Sequence, residues 1–274
     1  MRLLLAVIIL GSFGVYLLPE LPGNAHLVLQ GFWLIGILLV LTWQIVRLLG
    51  TQMHLLCARL GWRTTKAPAN YVRALFDDYA ERFDQHLMVE LAYAAPNRVR
   101  SIVGQHMDRG VSVAVDLGCG TGICGPLFEL LAERLIGVDL SPAMLDIARK
   151  RRVYDELIEA DVVDFLRQHQ GEFDLCFAAD VLVYLGDLRP FLKASSAALK
   201  PDAYLAFTVE STTQRDWTLQ SSGRYAHSQD YIQTLARHCG FVVEALETAT
   251  LRTQDYKPVV GDVWLLRRPA IKND

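Results

Sequence analysis

One octapeptide limits the fold of this 274-residue chain more than any other feature. Val115-Asp116-Leu117-Gly118-Cys119-Gly120-Thr121-Gly122 closes an apolar, valine-rich run that begins at Val111, and it precedes a helix-like pattern from Ile123 to Glu133. A buried strand, a glycine turn and a helix open a βα unit. The glycines let the chain reverse sharply and let a ligand approach the backbone. The spacing is G-x-G-x-G. A dinucleotide fingerprint needs its third glycine one residue later to close helix on strand, and Ile123 stands there. Asp116 also sets a carboxylate where a pyrophosphate would be repelled. Both features favour a cationic or zwitterionic ligand.

Downstream, strand and helix patterns alternate. Arg134–Asp139, Leu157–Ala160, Phe173–Ala178 and Ala203–Glu210 read as strands. Ala143–Arg152, Val162–Gln168, Leu188–Leu199 and Ser228–Cys239 read as helices, the last stopped by Gly240. Phe241–Glu247 and Asp262–Arg267 finish as strands with no helix between them, so one should run antiparallel. The pattern predicts an α/β domain with a doubly wound, mostly parallel, seven-stranded sheet. Ligands bind such sheets at the carboxyl ends of the strands. Asp116, Asp139 and Asp161 lie at three consecutive strand ends. A carboxylate at Asp139 can accept both hydroxyls of a ribose, and one at Asp161 can accept from an exocyclic amine. The set predicts a nucleoside-binding rim.

Apolar residues make up 52% of the chain and charged residues 21%, and the mean hydropathy is +0.22. The apolar excess sits at the N-terminus. Leu3–Leu18 and Leu27–Val46 carry no charge, and Pro19–Asn24 reads as a turn between them. About 20 residues at a 1.5 Å rise span about 30 Å, the thickness of a hydrocarbon core. Two transmembrane helices are therefore expected as a hairpin. Arg2 precedes it, Arg47, Arg59, Arg63 and Lys66 follow it, and the turn holds only Glu20. The positive-inside bias puts both ends in the cytoplasm. A cleaved signal peptide fits less well, since no A-x-A-like site follows Leu18. The division expected is 1–50 membrane hairpin, 51–70 interfacial helix and linker, and 71–274 α/β domain. Net charge is −3 with no basic stripe, which argues against nucleic acid as a partner. Five cysteines, none in a CxxC pair, fit neither a zinc site nor a disulfide framework and are expected reduced and mostly buried.

Val115–Gly122, Gly137–Ser141, Ala160-Asp161, Phe173–Leu185 and Leu199-Lys200-Pro201 together resemble the successive motifs of class I S-adenosylmethionine-dependent methyltransferases. Tyr71–Asp84 resembles the leading helix of those enzymes, closest to a bacterial subgroup often fused to tetratricopeptide repeats, which this chain replaces with the apolar N-terminus. The resemblance implies the Rossmann-like methyltransferase fold, S-adenosyl-L-methionine as cofactor and no metal. It implies that Gly118, Cys119, Gly120 and Gly122 line the amino-acid part of the cofactor, with Asp116 acting through that loop. Asp139 would hold the ribose, Leu140 and Met144 the adenine face, and Asp161 and Val162 the adenine edge. Ala178 and Ala179 would pass the methionine moiety, and Tyr79 would cover the cofactor. Two positions depart from the pattern. Asp202-Ala203 replaces the common Gly-Gly, and Val183-Tyr184 stands where many small-molecule methyltransferases carry Glu-His, so the base that the resemblance would supply there is missing.

Methyl transfer from a sulfonium is an in-line displacement, so the protein mainly aligns the reactants away from water. A base helps only for a hydroxyl or phenol acceptor. Candidates are His227, Tyr184 and Tyr225, with Tyr79 and His86 from the leading helix. His227 reads equally as a helix-cap neighbour, and Arg224 as a solvated arginine or the holder of an anionic acceptor. The expected location is the bacterial inner membrane with the catalytic domain in the cytoplasm. That location points to a small-molecule or lipidic acceptor, or to a membrane-protein partner. A catalytically inactive accessory subunit that keeps the cofactor site is the alternative.

Overall fold

The computed structural model describes residues 34–42, 52–87, 91–107, 109–214, 216–254 and 256–270. The chain divides into two compact units, Met1–Gln52 and Met53–Asp274. In the first, 34–42 is helical (α1) and exposes Leu34, Ile35, Leu38 and Leu39. Most of the two apolar runs falls outside the described residues, and so does the expected hairpin. Among the described residues no helix is long and apolar enough to cross a membrane.

The second unit opens with a helix over 52–60 (α2). There follow α3 (Ala69–Gln85), α4 (Ala95–His106), β1 (Val111–Leu117), α5 (Gly125–Phe128), β2 (Ala132–Asp139), α6 (Pro142–Arg151) and β3 (Glu156–Glu159). Then come α7 (Val162–Gln168), β4 (Phe173–Ala178), α8 (Arg189–Ala198) and β5 (Leu199–Ser211). The chain ends in β6 (Trp217–Leu219), β7 (Tyr225–His227), α9 (Gln229–His238), β8 (Val242–Gln254) and β9 (Lys257–Arg267).

The parallel strands stand in the order β3-β2-β1-β4-β5. Along Tyr204–Glu210 the far edge of β5 takes β9 antiparallel, and β9 in turn pairs with β8. These seven strands match the expected sheet, including its antiparallel member. The sheet has nine strands, however, because β6 and β7 form a short hairpin whose β7 pairs with the end of β5 at Glu210 and Ser211. Three-residue strands are too short to show alternation, so the sequence pattern did not reveal them.

Both faces of the sheet are buried, which is why its strands read as near-continuous apolar runs. Along β4, Cys176 and Ala178 face one core with Phe165, Phe191 and Phe207, while Leu175 and Phe177 face the other with Val99, Ile102 and Phe128. That is the two-residue period of a strand. Ser141, Asp161 and Ser228 cap α6, α7 and α9 by accepting backbone N–H bonds.

One expectation needs correction. The helix read over Ile123–Glu133 is the single turn α5. The ladder pairs Ala132 with Val111 in parallel register, so β2 claims the residues that a longer helix would have used. The stretch expected as interfacial helix and linker packs in part on the second unit. His54, Cys57 and Ala58 of α2 are buried within the second unit. The Ala67 N–H donates to the Tyr184 carbonyl, and the Gly186 and Asp187 N–H groups donate to Thr65. This stretch is thus held against the 184–187 loop.

Candidate active site

A cavity of about 450 Å³ opens at the carboxyl ends of the parallel strands, beneath α3. Ligand pockets run from about 300 to 1,000 Å³. Its floor is the glycine turn. Gly118, Gly120 and Gly122 have φ of +74°, +55° and +83°, a region that L side chains rarely adopt. A Cβ on Gly118 would lie 2.5 Å from Val181 Cγ2, whereas one on Gly120 would make ordinary van der Waals contact with the Phe83 ring at 3.7 Å. The turn therefore presents bare backbone to the cavity.

Asp139 fixes that turn. Its Oδ2 accepts from the Gly120 N–H at 2.8 Å and its Oδ1 from the Ser141 N–H at 2.8 Å. Burial raises its pKa, against the pull of these amides. Asp161 caps α7 and pairs with Lys66 Nζ at 2.6 Å. Burial alone would raise its pKa, but the Lys66 ammonium and the two capping amides outweigh it and hold the carboxyl below its usual range. Asp116 lies under the turn, 1% exposed, and accepts from the Tyr154 hydroxyl at 2.7 Å. Burial pushes its pKa to about 7, with the hydrogen bond opposing and the nearby Asp139 adding to the rise.

Helix α3 is tied across the top. Asp77 accepts from Ser141 Oγ at 2.6 Å, and Asp84 accepts from Thr121 Oγ1 and pairs with Arg151. Tyr79 and His86 are hydrogen-bonded to each other. Phe76, Phe83, Tyr79 and Tyr184 meet edge to face, with the Phe76 and Tyr184 centroids 5.5 Å apart. These rings form an apolar wall over the middle of the cavity.

The end farther along the chain is ionic. Asp180, just past β4 at φ +63°, accepts from Arg224 Nη2 at 2.5 Å and Arg252 Nη1 at 3.3 Å. Glu210 of β5 accepts from Arg224 Nε and Arg252 Nη2, both at 2.7 Å. The four side chains are between 5% and 17% exposed.

Residues 115–207 match the family described as "Methyltransferase domain". The chain is 30% identical over 207 residues to the trans-aconitate 2-methyltransferase of Paracidovorax citrulli, covering 72% of this chain and 70% of that protein. The chain belongs to the class I S-adenosylmethionine-dependent methyltransferases. It is also 26% identical over 202 residues to the malonyl-[acyl-carrier protein] O-methyltransferase of Yersinia pestis, covering 72% of each. In fold it resembles the Burkholderia thailandensis 1,6-didemethyltoxoflavin-N1-methyltransferase, which was solved with S-adenosylhomocysteine bound. That likeness has a TM-score of 0.59 at 18% identity and covers 76% of this chain and 93% of that one. The enzyme uses S-adenosylmethionine.

The methyltransferase brings Tyr79, Gly118, Gly120, Asp139, Leu140, Asp161, Val162, Ala179 and Tyr184 to the cavity wall. Asp116, Cys119, Met144 and Ala178 are buried behind it, and Gly122 packs toward Tyr154 and Arg151. Those five support the wall without lining it. Two base candidates are displaced. His227 is fully buried, its Nε2–H shared between the carbonyls of Leu185 at 2.9 Å and Gly186 at 3.0 Å. Burial lowers its pKa to about 4, so it is a neutral structural imidazole. Tyr225 is buried, bonded to Thr64 Oγ1 at 2.5 Å and packed near His54. Arg224 is not solvated but lies in the cavity wall. The five cysteines are free, four of them buried.

Sequence reasoning missed Lys66, Asp180, Glu210 and Arg252. One signal was present. Glu210 and Arg252 are charges within otherwise strand-like runs, and a buried charge requires a partner.

Proposed function

We propose that the enzyme transfers a methyl group from S-adenosylmethionine to an oxygen of a small, largely apolar acceptor. We further propose that its catalytic unit is held at the cytoplasmic face of a bacterial inner membrane. One observation carries the chemical part: a single cavity joins bare glycine backbone and two nucleoside-facing carboxylates to an aromatic wall. The names of the relatives, acting on malonyl-[acyl-carrier protein], trans-aconitate and, in a third, ubiquinone biosynthesis, support an oxygen acceptor. The uncharged runs Leu3–Leu18 and Leu27–Val46 support the anchor.

The residues present fit the cofactor. The side-chain-free face of Gly118 and Gly120 leaves room for its amino-acid part. Asp139 is held by two amides with its carboxylate beside the cavity, where it would accept ribose hydroxyls. Asp161 and Val162 would meet the adenine edge, with Leu140 against the ring. The bound cofactor supplies an electrophilic methyl and a leaving group that needs no proton. Tyr79, Phe76 and Phe83 exclude water, and α3, pinned through Asp77 and Asp84, holds these rings over the floor.

Calorimetry with S-adenosylmethionine, S-adenosylhomocysteine and NAD tests the cofactor; tight binding of NAD alone would sink the assignment. Transfer of a labelled methyl group to membrane extracts tests turnover, and an absence of labelled product with the cofactor bound would favour an accessory subunit. Tags at Met1 and Asp274 should both be cytoplasmic, and a periplasmic tail would refute the hairpin.

A further inference from the structure

We propose that Arg224 and Arg252 form a carboxylate-binding site at the far end of the cavity, and that the acceptor is an apolar carboxylic acid converted to its methyl ester. This rests on the methyl-transfer reading above and names its acceptor class.

The argument begins with the donors. A guanidinium has five N–H groups. Arg224 uses three, toward Glu210, Asp180 and the Tyr184 hydroxyl at 3.4 Å. Arg252 also uses three, toward Asp180, Glu210 and Gln254. Among the described residues each keeps two donors uncommitted, and both residues line the cavity. Two shared oxygens, Asp180 Oδ1 and Glu210 Oε1, brace the pair. That bracing holds both guanidiniums in place, the arrangement suited to a planar anion. Burying two arginines and two carboxylates is a weak route to stability. Asp180 lines the cavity as well, so the cluster is charge-balanced as it stands, and a carboxylate would be held by the arginine donors that Asp180 and Glu210 leave open.

Among the described residues, most of the base candidates are committed to other partners, which points the same way. His227 and Tyr225 lie outside the cavity, and burial raises the Tyr184 pKa, with Arg224 opposing. Asp180 is held by two arginines, and His86 is engaged with Tyr79. A phenol or alcohol acceptor would have to lose a proton; a carboxylate has none to lose. One carboxylate oxygen forms a bond to the methyl carbon while the carbon–sulfur bond breaks. The electron pair of that bond stays on sulfur, which becomes a neutral thioether, and the acid becomes a neutral ester. Positive and negative charge vanish together, and no proton moves. The aromatic wall of Phe76, Phe83 and Tyr184 beside the ionic end would take the apolar body of the acid.

The test uses the full chain saturated with S-adenosylhomocysteine and titrated with hexanoate and hexanamide, which are alike in shape and differ in charge. Hexanoate should bind at least about tenfold more tightly, since charge-assisted hydrogen bonds are roughly twice as strong as neutral ones. Arg224→Gln would strand two buried carboxylates, so Arg224→Lys, which keeps the charge and loses the fork, is the second measurement. It should weaken hexanoate binding about fivefold or more while leaving S-adenosylhomocysteine affinity within about twofold. Equal affinity for the two probes, or undiminished hexanoate binding in Arg224→Lys, would overturn the proposal. Failure of the unsubstituted enzyme to bind S-adenosylhomocysteine is a separate result that defeats the cofactor assignment and this inference with it.

Discussion

Asp116→Asn should make the protein less sensitive to rising pH. In the folded enzyme the Asp116 carboxyl is 1% exposed, and burial lifts its pKa from 3.8 to about 7. A raised carboxyl binds its proton more tightly in the folded than in the unfolded chain. Its contribution to stability is therefore whole below about pH 4 and declines until pH passes about 7. The full span, about three pKa units, is worth about 4 kcal/mol, of which about 2–3 kcal/mol falls between pH 5 and pH 8. Asparagine keeps an oxygen for the Tyr154 hydroxyl and cannot ionise. It also leaves a buried amide N–H₂ to satisfy, a cost that is the same at every pH. The useful quantity is thus the difference between the two proteins, not either alone. Urea denaturation of both, followed by fluorescence of the buried Trp264 core, should show asparagine gaining about 2–3 kcal/mol on aspartate from pH 5 to pH 8. Parallel stability curves across that range would refute the reasoning and return Asp116 to an ordinary ionised carboxylate.

Other substitutions test the remaining pieces. His227→Gln should leave cofactor affinity unchanged. The His227 pKa is depressed to about 4, so the folded state resists protonation, and about 3 kcal/mol of stability is lost as pH falls from 6.5 to 4. The variant should lose that dependence in the same urea assay. Asp116 slopes the opposite way over that window, so each substitution unmasks the other group. Asp139→Ala removes the acceptor for the Gly120 and Ser141 amides and should weaken S-adenosylhomocysteine binding by about 1–3 kcal/mol in calorimetry. Gly118→Ala places a Cβ 2.5 Å from Val181 at φ +74° and should lower cofactor affinity. Adding Val181→Ala relieves the clash but leaves about 1–2 kcal/mol of backbone strain.

The parallel half of the fold was legible because its signals are local. A strand that ends in a glycine turn, acids at successive strand ends and a serine or aspartate before α6, α7 and α9 can all be read in short windows, and β1, β4, α6 and α7 fall where those windows place them. The ionic end of the cavity is different in kind. Asp180, Glu210, Arg224 and Arg252 come from four separate segments, and the two arginines share carboxylate oxygens only because β9 pairs with β5 and brings β8 with it. No window holds that information. The same holds for Lys66, which read as part of a linker, yet reaches Asp161 because its neighbours bond to the 184–187 loop. The residues proposed to face the cofactor sit on one βα turn and its neighbours, where backbone geometry dictates residue type. The residues proposed to face the acceptor sit where long-range pairing alone decides who meets. A site built that way can change its acceptor by altering distant strands while the glycine turn stays fixed, so the acceptor class proposed above is tested at Arg224 and Arg252, not at the motif that identifies the family.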